Sequence, residues 1–168
     1  AYVARENAIF TALDAEVTAK VTPAERTPLN RYYRQSLVWP GHFSPDANRS
    51  FVLMPAGKPR GGVVLLHGLT DSPYSVRHLA ENYQKHGFVA VVPRLPGHGT
   101  APGALTDVDW EALLAATRLA VREATRLTGN DLPLHLVGYS NGGALAVKYA
   151  LDALDAPALR QPEQIVLL

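Results

Sequence analysis

Four short apolar runs set the limits on how this chain folds. They are VVLLH at residues 63–67, FVAVVP at 88–93, LHLVGY at 134–139 and IVLL at 165–168. A strand buried on both faces reads this way, because side chains of either parity meet a core. Between the runs the period changes to that of a helix. Val76, Leu79, Ala80 and Tyr83 form one stripe, and Trp110, Leu113, Leu114, Thr117, Val121 and Ala124 form another. GGALAVKYALDAL, residues 142–154, supplies the third helical segment. This alternation of strand and helix predicts an α/β fold, a mostly parallel sheet flanked by helices and joined by right-handed crossovers. In such sheets, ligands gather at the carboxyl ends of the strands.

Local signals place the boundaries. Ser72 followed by Pro73 reads as an N-cap with proline at the first helical position, and Gly87 reads as a stop. Thr106 with Asp109 fits a capping box ahead of the second stripe. Upstream, residues 2–20 read as a helix ended by Thr22 and Pro23. The stretch from there to Ser50 is broken by proline and glycine and reads as irregular, with one strand at Gln35–Trp39. A further strand is expected at Phe51–Met54. The chain thus divides into residues 1–59, a helix, an extension and first strands, and residues 60–168, the core.

Composition removes several classes of function. The 168 residues hold one domain's worth of core, with 47% hydrophobic and 18% charged residues. A net charge of +1 offers no field for nucleic acid. With no cysteine there is no disulfide scaffold, thiolate metal site or cysteine nucleophile, although the compartment stays open. No apolar run reaches the roughly 18 residues of a membrane span. Neither metal nor cofactor is suggested by any cluster of side chains. The glycines of GHGTAPG open no helix directly, so a phosphate-binding reading fails.

The residues that carry chemistry lie at two strand ends. Gly138-Tyr139-Ser140-Asn141-Gly142 is a G-x-S-x-G sequence between an expected strand and an expected helix. That context is the one a nucleophile elbow requires. A sharp turn there lifts the serine hydroxyl above the sheet edge, and Gly138 and Gly142 leave room for neighbouring backbones. The competing reading is a glycine-rich turn with a serine N-cap. The second stretch is His67-Gly68-Leu69-Thr70, at the end of an earlier strand. Acyl transfer needs two backbone N–H donors for the developing oxyanion, and losing one costs about 3 kcal/mol in the barrier. The amides of Asn141 and Leu69 fit those roles, with His67 and Gly68 shaping the turn.

In VVLLHGLTDSP, GFVAVVPRLPGHGTAPG, DVDW and HLVGYSNGGALAV, in this order and spacing, the chain resembles the α/β-hydrolase superfamily. The resemblance is to its small carboxylesterases and monoacylglycerol-lipase-like serine hydrolases, and it covers residues 60–168. It implies Ser140 as nucleophile, Leu69 and Asn141 as oxyanion donors, and RLPGHG, residues 94–99, as a structural loop beside the pocket. Asn141 stands where such proteins often carry Met, Leu or Gln, which leaves a backbone donor intact.

A serine nucleophile needs a general base, and this superfamily orders its triad Ser, then Asp or Glu, then His. All six histidines, His42, His67, His78, His86, His98 and His135, precede Ser140. Asp152 and Asp155 follow it, but on or just past the next helix rather than at a later strand end. His67 and His98 read as structural parts of their turns. The expectation is therefore an N-terminal portion of a longer hydrolase, with the catalytic Asp and His outside these residues and a C-terminal remainder completing the fold. The implied reaction is hydrolysis of a small-molecule, ester or lipid-like substrate through an acyl-enzyme. A peptidase or acyltransferase on the same scaffold, and a non-catalytic binding module, stay as alternatives.

Overall fold

The computed structural model describes residues 2–46 and 48–168. Five strands form one sheet: β1 (Phe51–Leu53), β2 (Gly61–Leu66), β3 (Phe88–Val92), β4 (Leu134–Gly138) and β5 (Gln164–Leu167). Their spatial order is β1-β3-β2-β4-β5. β1 runs antiparallel to β3, and the other three pairings are parallel. The crossovers are helical: α2 (Arg77–Lys85) from β2 to β3, α3 (Trp110–Thr128) from β3 to β4, and α4 (Asn141–Asp155) from β4 to β5. A further helix, α1 (Tyr2–Glu16), precedes the sheet.

The two-residue period of a strand sorts the core onto two faces. Val64 and Leu66 of β2 point with Val89, Val91, Leu134 and Leu136 toward Leu113, Leu114, Val121, Leu145 and Tyr149 of α3 and α4. Val63 and Leu65 point the other way, with Ala90, Val92 and Val137, toward Val76 and Ala80. Every residue of β2 is buried, which explains why VVLL shows no alternation in sequence. Burying one such Leu or Val side chain stabilises the fold by roughly 1.5–3 kcal/mol. The register pairs Leu66 with Gly138, so the ends of β2 and β4 lie side by side. That juxtaposition brings the turns that follow β2 and β4 to one edge.

Several boundaries differ from the sequence reading. No strand forms at Gln35–Trp39: Ser36 N–H donates to Tyr33 O, Trp39 N–H to Ser36 O, and Leu37 N–H to Pro28 O. The first two are turn bonds, and the third closes a loop between residues nine positions apart. With Pro40 next and Leu37 and Val38 exposed, the segment has neither a neighbouring ladder nor a core to join. The first helix ends at Glu16, and a 3₁₀ turn at Thr18–Lys20 completes the segment. Ser72 makes no side-chain cap bond; Pro73 opens a 3₁₀ turn to Val76, and the α-helix begins at Arg77. The cap of α3 is Asp109, whose carboxylate accepts from Ala112 N–H at 2.7 Å. Thr106 instead donates from its hydroxyl to Gly103 O. Trp110 and Leu79, both placed in the helical stripes, are exposed.

Candidate active site

Ser140 occupies the junction between β4 and α4 and is exposed. Its backbone sits at φ +51°, ψ −115°. Side chains rarely adopt such dihedrals, and holding one there costs about 1–3 kcal/mol unless the surroundings over-determine it. Here they do. Ser140 N–H donates to Leu168 O at 2.9 Å, and Leu168 N–H donates back to Gly138 O at 3.0 Å. Tyr139 N–H donates to Leu66 O at 3.0 Å, while Gly143 N–H donates to Ser140 O at 2.8 Å. The turn is clamped by β2 on one side, by the end of β5 on the other and by the first turn of α4 above.

The two outer glycines are required by space. A Cβ on Gly138 would overlap the Gly142 carbonyl, and one on Gly142 would lie 2.6 Å from the Leu66 carbonyl carbon. Strand and helix approach too closely for any side chain. Gly68 belongs to the same crowd: a Cβ there would lie 3.0 Å from the Tyr139 ring and 3.6 Å from the Ser140 Cβ. The His67-Gly68-Leu69 turn and the serine turn, separate in sequence, are therefore in van der Waals reach. Among the described residues, the N–H groups of Leu69 and Asn141 have no hydrogen-bond acceptor. For Asn141 this follows from its place at the first position of α4, where helix amides lack an internal partner and the helix dipole is positive.

His67 is fully buried, and both ring nitrogens are engaged. Leu95 N–H donates to Nε2 at 3.1 Å, so Nε2 must be the bare nitrogen. Nδ1 then carries the proton and donates to Gly68 O at 2.9 Å. Burial pushes the imidazole down to about 4; the bond to Gly68 opposes this, while nearby His98 and Arg94 reinforce it. His98 is also buried, with Nδ1 at 2.8 Å from Pro96 O, and its ring packs edge-on against His67 at 4.9 Å between centroids. Its Nε2, like Nδ2 of Asn141, has no partner among the described residues.

The remaining histidines are elsewhere. His78 pairs with Glu81, His86 with the Asn82 carbonyl, and exposed His42 packs against Trp39. His135, near the start of β4, sits between Tyr83 and Phe88 at the opposite end of the strand from Ser140. Asp152 is tied to Lys148 and Arg118 on the α3–α4 side, and the Lys148 bond above all holds its carboxyl below the usual range. Concavities of about 190 Å³ over α4 and β5 and about 390 Å³ between α3 and α4 are found among the described residues. Neither touches Ser140, Leu69 or Asn141, which lie on an open surface.

A feature with no sequence signal stands beside this site. Glu6 of α1 forms a buried ion pair with Arg94, at 3.0 Å, across 88 positions. One glutamate among the charges of a terminal helix carries no mark that it is buried.

Sheet order, crossovers and elbow geometry define an α/β-hydrolase fold. The family model described as serine aminopeptidase, S33, matches residues 57–167, and the chain belongs to this S33 family of α/β-hydrolases. A thermostable monoacylglycerol lipase from Bacillus sp. (strain H-257) is 56% identical over 39 residues, 23% of this chain and 16% of that lipase. Among solved structures, one from a study of LipS and LipT, two metagenome-derived lipolytic enzymes, superposes with a TM-score of 0.61 at 30% identity. It covers 72% of this chain and 45% of its own. A thermostable carboxyl esterase from Bacillus coagulans, in complex with glycerol, gives 0.57 at 22% identity, over 70% of this chain and 38% of its own, and shows the shared fold. The chain therefore spans less than half the length of these relatives.

Proposed function

We propose that this chain carries the nucleophile and oxyanion machinery of a carboxylic-ester hydrolase. Ser140 Oγ attacks the ester carbonyl, and the developing oxyanion accepts from the Leu69 and Asn141 amides. The ester C–O bond then breaks, the alcohol leaves with the proton taken from Ser140, and water releases the acid from the acyl-enzyme. The proton passes through a histidine paired with a carboxylate, neither of which is among the described residues around Ser140. The observation that carries this reading is the strained backbone of Ser140, exposed at a strand–helix junction with the Gly68 turn packed against it. Strain of this kind persists where it serves a site. Relatives that are lipolytic or esterolytic make esters of glycerol or similar small alcohols the favoured substrates.

The test is labelling of the full-length protein by a fluorophosphonate probe, together with hydrolysis of p-nitrophenyl esters and a monoacylglycerol. Wild type is expected to label and turn over, and Ser140→Ala to do neither. A folded wild type that does not label overturns the proposal. The description of the matched family as serine aminopeptidase supports a second reading, cleavage of an amide. Faster turnover of aminoacyl p-nitroanilides than of esters would select it.

A further inference from the structure

Helix α1 lies outside the segment matched by the family model, yet the Glu6 carboxylate on it is buried. Glu6 Oε1 accepts from Arg94 Nε at 3.0 Å, with the side chains 4% and 5% exposed. The same oxygen accepts from Ser50 Oγ at 2.9 Å, and Ser50 N–H donates to the carboxylate at 3.1 Å. Ser50 Oγ in turn accepts from Arg94 N–H at 2.7 Å. Arg94 is thus held at its backbone and at its head, which also donates to His98 O at 2.9 Å. The next residue, Leu95, gives its N–H to His67, and His67 gives its Nδ1–H to Gly68 O. Gly68 O and Leu69 N–H belong to one trans peptide, in which they point in opposite directions. Whatever holds the oxygen aims the amide.

We propose that Glu6 is a positioning residue for the Leu69 amide, acting through Ser50, Arg94 and His67. The proposal rests on the reading of Leu69 as an oxyanion donor. A buried ion pair is a poor stabiliser, because desolvation of both groups cancels most of their attraction. Its effect is on geometry. With each partner's alternatives costly, residues 94–95 have one place to be, and the imidazole has one tautomer to adopt. Misplacement by a fraction of an ångström at a reacting centre is enough to slow chemistry markedly.

The experiment uses the full-length protein and a soluble p-nitrophenyl ester, at a temperature where circular dichroism shows every variant folded. Glu6→Gln removes the charge and keeps the shape. Ser50→Ala removes the hydroxyl that links the carboxylate to Arg94 N–H, and carries the test if Glu6→Gln does not fold. Each is expected to lower kcat roughly tenfold to a hundredfold with KM little changed. In a Leu69→Pro background, where the aimed N–H is gone, either change is expected to cost less than about twofold more. Unchanged kcat per folded molecule, or an undiminished extra loss in the Leu69→Pro background, overturns the proposal. If Ser140→Ala abolishes activity while Glu6→Gln keeps full kcat, only this inference falls. If wild type is inert, or Ser140→Ala stays active, the ester-hydrolase reading falls with it.

Discussion

The position that a Cβ would take on Gly142 lies 2.6 Å from the Leu66 carbonyl carbon and 2.8 Å from the His67 carbonyl oxygen. Neither neighbour is a flexible side chain; both are backbone at the end of a buried strand. In an exposed helix Gly→Ala would gain about 1 kcal/mol. Here overpacking reverses the sign. Gly142→Ala is expected to lose about 3 kcal/mol in urea denaturation, at the upper end of overpacking costs, and to abolish probe labelling. An alanine variant as stable as wild type would contradict the packing described.

Ser140→Gly should separate strain from chemistry. Glycine adopts φ +51° freely, so relief of about 1–3 kcal/mol is offset by glycine's entropic cost of up to about 1 kcal/mol. The variant is expected to be about 1 kcal/mol more stable than Ser140→Ala and equally inactive. Paired denaturation curves check this, and equal stability of the two variants would mean the turn carries no strain.

His67 makes stability depend on pH in a defined window. Its imidazole titrates near 4 folded and near 6.5 unfolded, so between these values the unfolded chain binds the extra proton. Its contribution is complete above pH 6.5 and is lost as pH falls toward 4, by about 3 kcal/mol in total. His135, also lowered by burial, adds in the same direction. Unfolding free energy measured from pH 7 to 4.5 should fall in wild type and fall less in His67→Gln; parallel curves would count against the buried neutral imidazole.

Asp109 and Thr106 offer a clean comparison. The Asp109 carboxylate caps α3 through Ala112 N–H, whereas the Thr106 hydroxyl bonds within its own turn. Asp109→Ala is expected to cost about 1 kcal/mol and Thr106→Ala a few tenths. The reverse order in thermal melts would restore Thr106 as the cap.

That pair also shows which parts of the molecule were readable in advance. β2 announces itself because both its faces are buried and its apolar run is unbroken, and β3 and β4 come close, with only Phe88 and His135 half-buried. The tight turn at Ser140, with Gly138 and Gly142 packed close around it and Gly68 alongside, is equally legible, since its spacing is met within five residues and the Gly68 turn follows a strand. Capping is harder, because Thr106 and Asp109 both satisfy the local rule and only the path of the chain decides between them. The antiparallel pairing of Phe51 with Val92 and the ion pair of Glu6 with Arg94 join distant positions, and no periodicity encodes either. Gln35–Trp39 misleads for the same reason: its apolar residues suit a strand, but no neighbour is there to pair with them.

The Ser140 amide is tethered to the carbonyl of Leu168, one residue past β5, a strand whose Ile165 and Leu167 are open to solvent. The serine turn is therefore only as firm as its hold on the end of β5. On gentle warming, loosening of that single link would let the turn slacken while β2, β3 and β4 stay paired. Probe labelling at Ser140 in the full-length protein is then expected to fade several degrees before ellipticity does.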